Sequence, residues 1–163
     1  MLHDAPQFLI ALEQSGLGAA IRQSPWAYPA ANVGHIMALT LFAASVAIMD
    51  LRLLGAFAAT APASVVYPAR RAAMLGLILM ALTGFMLFAA EASHVAMNGV
   101  FQIKVVLITL GILNALLIAG PAVATIASVP ANVPLPVRAR VAAAVSLLIW
   151  VSVAACGRLI AYF

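Results

Sequence analysis

The chain has 163 residues, of which 66% are hydrophobic and only 7% are charged, and its formal net charge is +4. A soluble domain carries roughly 25% charged residues, so this composition excludes an ordinary water-soluble fold and predicts an integral membrane protein. The basic residues stand singly or in pairs, which is typical of membrane topology and speaks against a nucleic-acid partner. The single cysteine, Cys156, excludes an intrachain disulfide and any Cys-x-x-Cys motif.

Residues 1–24 precede the first apolar stretch and form a segment of their own. Their apolar residues recur at helical spacing, at Phe8, Leu9, Leu12, Leu17 and Ile21. This pattern predicts a short amphipathic helix that lies on the outer membrane interface. The segment has no basic start and no long apolar run, so we do not expect it to be a signal peptide.

Residues 25–163 contain four stretches that are long enough to cross a bilayer, which takes about 20 apolar residues. We expect the spans at 28–49, 72–90, 100–126 and 141–161. The fold class that follows is all-α, an integral membrane four-helix bundle with up-down connections and the short amphipathic helix before it.

The distribution of basic residues orients this bundle in the lipid bilayer. Five arginines flank the connections after the first and third spans, namely Arg52, Arg70, Arg71, Arg138 and Arg140. Three basic residues lie on the opposite side, namely Arg22, Lys104 and Arg158. The positive-inside rule therefore predicts that both termini face outward, which means the periplasm for a multi-pass protein of a bacterial inner membrane.

His35 is the most informative residue because it lies inside an apolar span. A histidine in hydrocarbon is costly and marks a ligand site, a proton path or a polar contact between helices. Gly34 and Ala38 would leave room beside it for a flat macrocycle. The alternative is a hydrogen bond between helices, with a partner among Asn32, Thr40, Thr83, Asn114 and Ser152.

His94 is the candidate partner of His35 for one metal centre. It ends the second span on the same outer side, so the two histidines would lie on adjacent antiparallel helices, as a bis-histidine haem b needs. If the helix stops at residue 90, His94 is roughly 10 Å too shallow, and tilt or continuation to about Met97 would close that gap. Met86 is the rival second ligand because its depth matches that of His35.

Other polar and aromatic residues could have either a role at a cofactor or a role in anchoring and packing the helices. The outer basic residues would pair with haem propionates or anchor helix ends, and they are Lys104, Arg158 and Arg22. Asp50 and Arg52 are expected to hold the inner end of the first span. Trp150, at mid-depth in the fourth span, is expected to be a core aromatic, with a cofactor or quinone cleft as the alternative.

Several runs of this chain resemble those of small, mostly uncharacterised bacterial four-helix membrane proteins. They are WAYP at 26–29, His35, DLRLLG at 50–55, and GRLIAY at 157–162. The middle is also distantly similar to the membrane domain of copper-resistance protein D, with its first-helix histidine and a third helix from Lys104 to Asn114. These resemblances imply the fold and say little about activity.

In architecture the chain is also similar to the membrane anchors of b-type cytochromes, which pass electrons between a periplasmic redox protein and quinone. Di-haem members of that group have four intramembrane histidines, whereas this chain offers at most two. The resemblance therefore implies one haem b at most.

Three hypotheses about function follow. The first is a single-haem b-type cytochrome subunit that relays electrons near the periplasmic face between a partner redox protein and quinone. The second is a copper-handling protein that uses His35, His94 and methionines such as Met37, Met86 and Met97, which suit Cu(I). The third is a cofactor-free structural subunit of a larger membrane complex. The sequence contains no nucleophile–base pair, so we do not expect a self-contained hydrolase or transferase.

Overall fold

The computed structural model describes residues 5–162, so the outermost residues of the predicted 1–24 and 25–163 segments lie outside it. Within those residues the structure is helical, without β-strands. The α-helices are α1 (Gln7–Gln14), α2 (Gly16–Gln23), α3 (Ala27–Leu54), α4 (Pro62–Ala90), α5 (Ala92–Met97), α6 (Gly99–Leu113), α7 (Gly120–Ala124) and α8 (Val137–Leu159). A π-helical turn, Asn114–Ala119, joins α6 to α7.

Four helical segments are long and apolar enough to cross a membrane, which confirms the predicted all-α, four-span class. They are α3, α4, the continuous segment from α6 through α7, and α8. The main difference from the predicted spans is at α4, which begins at Pro62 and runs straight through Arg70 and Arg71. The apolar run marks only the part of a helix that can lie in hydrocarbon, while backbone hydrogen bonding continues beyond it.

The four long helices do not pack equally on one another. Helix α3 packs closely on α4 and on α8, and α8 packs on α6, while α4 has no extensive backbone contact with the segment from α6 to α7. A Cβ atom on Gly76 would lie 2.9 Å from the backbone nitrogen of Phe42, so α3 and α4 touch backbone to backbone there. Small residues permit such close approach in membranes. The second and third spans therefore meet through side chains, such as the stacked rings of Phe88 and Phe101, and not through close backbone contact.

The two ends of the bundle differ in construction. At one end, called the loop end, the connections 55–61 and 125–136 cover a buried apolar cluster that includes Leu53, Val66 and Ile126. Arg52 is fully buried there and donates a hydrogen bond to the Thr60 carbonyl at 2.8 Å. Arg52 therefore ties the end of α3 to the following connection, as its sequence position predicts.

The opposite end, called the terminal end, carries α1, α2 and α5. The N-terminal segment forms two helices there instead of the single amphipathic helix predicted, because Ser15 interrupts it and caps α2 through a bond from the Gly18 amide at 3.2 Å. Leu9 and Ile21 are buried, while Phe8 remains 70% exposed. The amphipathic character is thus divided over two short helices that pack on the bundle.

Helices α1 and α2 clamp the junction between α4 and α5. Arg22 donates to the Ala90 carbonyl at 2.6 Å, at the last residue of α4. The Glu13 carboxylate accepts bonds from the Ser93 amide at 2.8 Å and from the Ser93 hydroxyl, in the first turn of α5. Each partner satisfies a backbone group that a helix end leaves unpaired. The helix therefore ends before Glu91, and α4 does not continue to Met97.

Candidate functional site

His35 lies on the face of α3 that meets α4, in the half of the bundle nearer the terminal end. Its Nδ1 atom is 2.9 Å from the Thr83 hydroxyl. A Cβ atom on Gly84 would lie 3.2 Å from the His35 Cε1 atom, so the missing side chain of Gly84 is what lets the ring rest against α4. Gly34 was expected to make room for a cofactor, but a Cβ atom there would lie 3.4 Å from the Thr83 methyl group, so this glycine faces α4.

The hydrogen bonds around Thr83 define which ring nitrogen of His35 carries the proton. The Thr83 hydroxyl donates its one proton to the Leu79 carbonyl at 2.7 Å. It therefore accepts from His35, so Nδ1 is protonated in the neutral ring and Nε2 keeps its lone pair. The Met80 carbonyl also lies beside the ring. A metal-binding histidine is oriented in the same way, with its second nitrogen held by an acceptor.

Two further polar side chains approach this histidine from the other spans. Lys104 on α6 lies close enough to His35 for its charge to act on the imidazole, and its Nζ would be 3.4 Å from a Cβ atom on Gly157. Cys156 on α8 is a neighbour of Lys104 in turn. All four spans therefore contribute to one polar cluster, made of His35, Thr83, Lys104 and Cys156.

His94 is not part of this cluster. It lies on α5, beyond the break at Glu91, and its side chain is exposed near Glu13. The contacts of His35 on α4 are at Thr83 and Gly84, and from there to the end of α4 is about 9 Å at 1.5 Å per residue. The structure thus separates the two histidines in depth. Continuation of α4 would not have aligned them, because His94 would then lie ten residues past Gly84, about 15 Å along the helix axis.

Met86 and the other two predicted basic residues have different surroundings. Met86 is half-buried on α4, one turn from Thr83, and so stays near the level of His35. Arg22 holds the end of α4, as described above. Arg158 donates to the Tyr162 hydroxyl at 2.6 Å and lies over the same ring at 4.9 Å, so it is engaged at the exposed end of α8. Of the three basic residues predicted near a cofactor, Lys104 is the one that lies beside His35.

The methionines proposed for copper do not gather around His35. Met37 is 68% exposed and Met97 is 50% exposed, so both belong to the outer surface of the chain. Within residues 5–162 no cluster of three or more His, Cys, Asp or Glu side chains could hold a metal ion. Of the two histidines in that range, His35 is the one that lies inside the bundle, while His94 is exposed.

A second polar region, which the sequence reading missed, lies in the half of the bundle nearer the loop end. Asp50, Asn114 and Ser146 come from three different spans, and each is at least nine-tenths buried. They line a cavity of about 170 Å³ that begins beside Trp150 and ends at the π turn. Asn114 donates to the Ala142 carbonyl at 3.0 Å and does not reach His35, for which it had been a possible partner. The one sequence signal for this region was Asp50, a carboxylate inside an apolar helix.

Trp150 and Phe42 separate the two polar regions. Their ring centroids are 4.6 Å apart, in an edge-to-face arrangement. A Cβ atom on Gly111 would lie 2.8 Å from the Trp150 ring, so the indole rests on the α6 backbone. Trp150 is thus a packed core aromatic, as expected, and it also lines the cavity.

Comparison with known proteins identifies the family and nothing narrower. No curated protein and no solved structure matches the chain. These comparisons show no link to copper-resistance protein D or to the membrane anchors of b-type cytochromes. One family of unknown function, DUF6644, matches residues 15–163, which include both polar regions and all four spans. The chain belongs to the DUF6644 family.

Proposed function

We propose that this protein is a membrane redox subunit that binds one haem b through His35 and relays electrons between a partner redox protein and quinone. The observation that supports it is the hydrogen bond from His35 to Thr83, which leaves Nε2 of an intramembrane histidine free to bind iron. Haem iron is commonly held by a histidine whose other nitrogen is engaged, and its potential is tuned by such bonds. When bound, haem b would supply one-electron chemistry.

Some of the other predicted site residues fit a bound haem, and some do not. Lys104 faces His35 with a positive charge, which suits a propionate. Arg22 and Arg158 are committed to α4 and to Tyr162, so we assign them no propionate. His94 does not fit the second axial position where it lies, and Met86 is nearer to the level of His35. A His/Met pair would raise the haem potential relative to His/His.

We place the protein in a bacterial inner membrane, with the terminal end toward the periplasm. The five arginines that flank the loop end support this orientation. The partner redox protein would then dock at the periplasmic surface formed by α1, α2 and α5, at the end of the bundle nearer His35.

Absorption spectra and metal content of the purified protein test the proposal. We expect a Soret band that shifts on dithionite addition, with one haem per chain at most. Replacing Met86 with leucine should change the spectrum more than replacing His94 with alanine. Stoichiometric copper without haem would contradict the proposal in favour of copper handling. A colourless, metal-free protein that co-purifies with a large complex would make it a structural subunit.

A further inference from the structure

The cavity in the half of the bundle nearer the loop end lies in the gap between α4 and the segment from α6 to α7. Its floor is formed by α3 and α8, through residues that include Val46 and Trp150. Its mouth is lined by Met74 of α4 and Leu116 of the π turn, which are 52% and 62% exposed. Because exposed leucine and methionine side chains of a spanning helix face lipid, the cavity opens sideways toward the hydrocarbon of the bilayer.

Two buried oxygen atoms on the cavity wall have no hydrogen-bond partner among residues 5–162. They are Oδ2 of Asp50 and Oδ1 of Asn114, on residues that are 1% and 6% exposed. The bond from Asn114 Nδ2 to the Ala142 carbonyl fixes the amide orientation, so its oxygen is the free atom. The Ser146 hydroxyl lies beside the Asp50 carboxyl group. Buried acceptors without donors cost free energy, so this wall is complementary to a ligand that carries hydroxyl or amine protons.

The size and the remaining lining of the cavity narrow the class of ligand. A cavity of about 150 Å³ holds one benzene ring, and this one measures about 170 Å³. Its other walls are mostly apolar, with the Trp150 indole on one side. Arg70 lines the same cavity and places a fixed positive charge there, which disfavours a metal cation. A flat ring with hydroxyl groups, soluble in lipid, satisfies all of these features.

We propose that this cleft binds the single-ring headgroup of a hydroquinone, whose hydroxyls donate to Asp50 and Asn114. The ligand enters from the bilayer between α4 and the π turn. The binding site itself is independent of haem, whereas its use as the quinone site of an electron relay rests on the proposed function. Phe42 and Trp150 lie between this cleft and the His35 cluster, so the two sites occupy opposite halves of one bundle.

Quenching of Trp150 fluorescence by decylubiquinol, a short-tailed hydroquinone, measures binding directly. The background carries Trp26→Phe, because Trp26 is 80% exposed at the start of α3 and is the other tryptophan of the chain. We expect saturable quenching in detergent or nanodiscs. Asp50→Leu, which removes both carboxyl oxygens at similar size, should weaken it about tenfold, as expected for loss of a buried hydrogen bond. Ser146→Ala should weaken it less.

Three further variants keep the test decisive. Ala115→Phe fills the cavity from an exposed position, so it should abolish quenching without disturbing the core. Ser152→Ala removes an exposed hydroxyl from the same helix as Ser146 and should change nothing. His35→Ala should leave quenching intact, because His35 lies outside the cleft. A wild-type protein that binds the quinol but contains no haem would contradict the electron relay and leave the cleft standing.

The proposal is overturned by any of three results. The first is the absence of saturable quenching in the Trp26→Phe protein. The second is equal affinity of the Asp50→Leu variant, or equal affinity for decylbenzene, which has the ring and tail without hydroxyls. The third is displacement of the quinol by sodium ions, which would assign the buried oxygens to a cation.

Discussion

At the scale of single residues, the proposed site depends on the contact between His35 and Thr83. A lone imidazole in hydrocarbon needs a partner, and the hydrogen bond at 2.9 Å supplies it. The same bond fixes the tautomer, so one contact serves both helix packing and ligand orientation. A purely structural role and a ligand role therefore predict different consequences when the bond is removed.

The substitution Thr83→Val keeps the shape of the side chain and removes its hydroxyl. We expect haem occupancy to fall, since loss of the group that orients a ligand histidine costs about 10–100-fold in affinity. Haem per chain after purification, measured as the pyridine complex, is the readout. Thr83→Ser, which retains the hydroxyl, is the control and should keep wild-type occupancy. Equal occupancy in the valine variant would mean that Thr83 does not orient a ligand.

Part of this site was predictable from the sequence alone. His35 stands out by its position in an apolar run, and Thr83 was among its possible partners. Lys104 was expected near the same place. The separation of His94 in depth was one of the expected outcomes, since it follows if the helix stops at residue 90. The cause of that stop was not predictable, because it depends on hydrogen bonds from Arg22 and Glu13 across 68 and 80 residues of sequence. The burial of Asn114 and Ser146 beside Asp50 likewise depends on how the helices rotate, which hydropathy does not encode.

At the scale of the elements, the contact between α3 and α4 positions the histidine. Gly76 lets the two backbones touch at Phe42, about two helical turns from His35. Hydropathy predicted both helices, since each carries a long apolar run. It did not predict the π turn after α6, because that turn retains helical dihedral angles and an apolar sequence.

Replacing Gly76 with alanine should destabilise the bundle. The added methyl group would lie 2.9 Å from the Phe42 nitrogen, and a clash with backbone relaxes poorly. Overpacking of this kind costs about 1–3 kcal/mol, measurable as a lower midpoint of unfolding in dodecyl sulfate. The control is Gly99→Ala, where the new atom meets nothing within 4 Å and the change should stay within about 0.5 kcal/mol. An unchanged midpoint for the Gly76 variant would refute the close contact.

The clamp between α1 and α5 predicts a specific dependence of stability on pH. Hydrogen bonds from the Ser93 side chain and backbone lower the pKa of Glu13 from its ordinary value of 4.5. The folded state thus favours the ionised carboxylate. Its stabilisation is present above pH 4.5 and is lost as the pH falls through the lowered pKa.

The thermal midpoint of Glu13→Gln should accordingly be lower than that of the wild type at pH 7, and the difference should shrink below pH 4.5. Ser93→Ala, which removes one of the two donors, should give an intermediate value at pH 7. A difference that stays constant down to pH 3 would show that the ionised carboxylate of Glu13 does not hold the junction.

At the scale of the whole molecule, the bundle is polarised along its axis. The half nearer the terminal end holds His35 and Lys104, and the half nearer the loop end holds Asp50 and Asn114 beside a lateral cleft. The arginines concentrate around the loop end. This arrangement matches a protein that receives a lipid-soluble ligand on one side and meets a soluble partner on the other.

Cysteine labelling tests the orientation. In a Cys156→Ser background, Gly16→Cys on α2 and Ala59→Cys in the loop-end connection are both exposed. An impermeant maleimide should label the first in intact cells and the second only after permeabilisation, because the positive-inside rule places the arginine-rich end in the cytoplasm. The reverse pattern would invert the predicted orientation.

The most direct test of the central claim is the reduced-minus-oxidised difference spectrum of wild-type protein and of His35→Ala, purified side by side. Circular dichroism on the same samples verifies that both are folded and equally helical. We expect a b-type spectrum for the wild type and its loss in the His35→Ala variant. The His94→Ala variant should retain the spectrum. A wild-type protein without haem, or a folded His35→Ala variant with an unchanged spectrum, would contradict the assignment of His35 as the haem ligand.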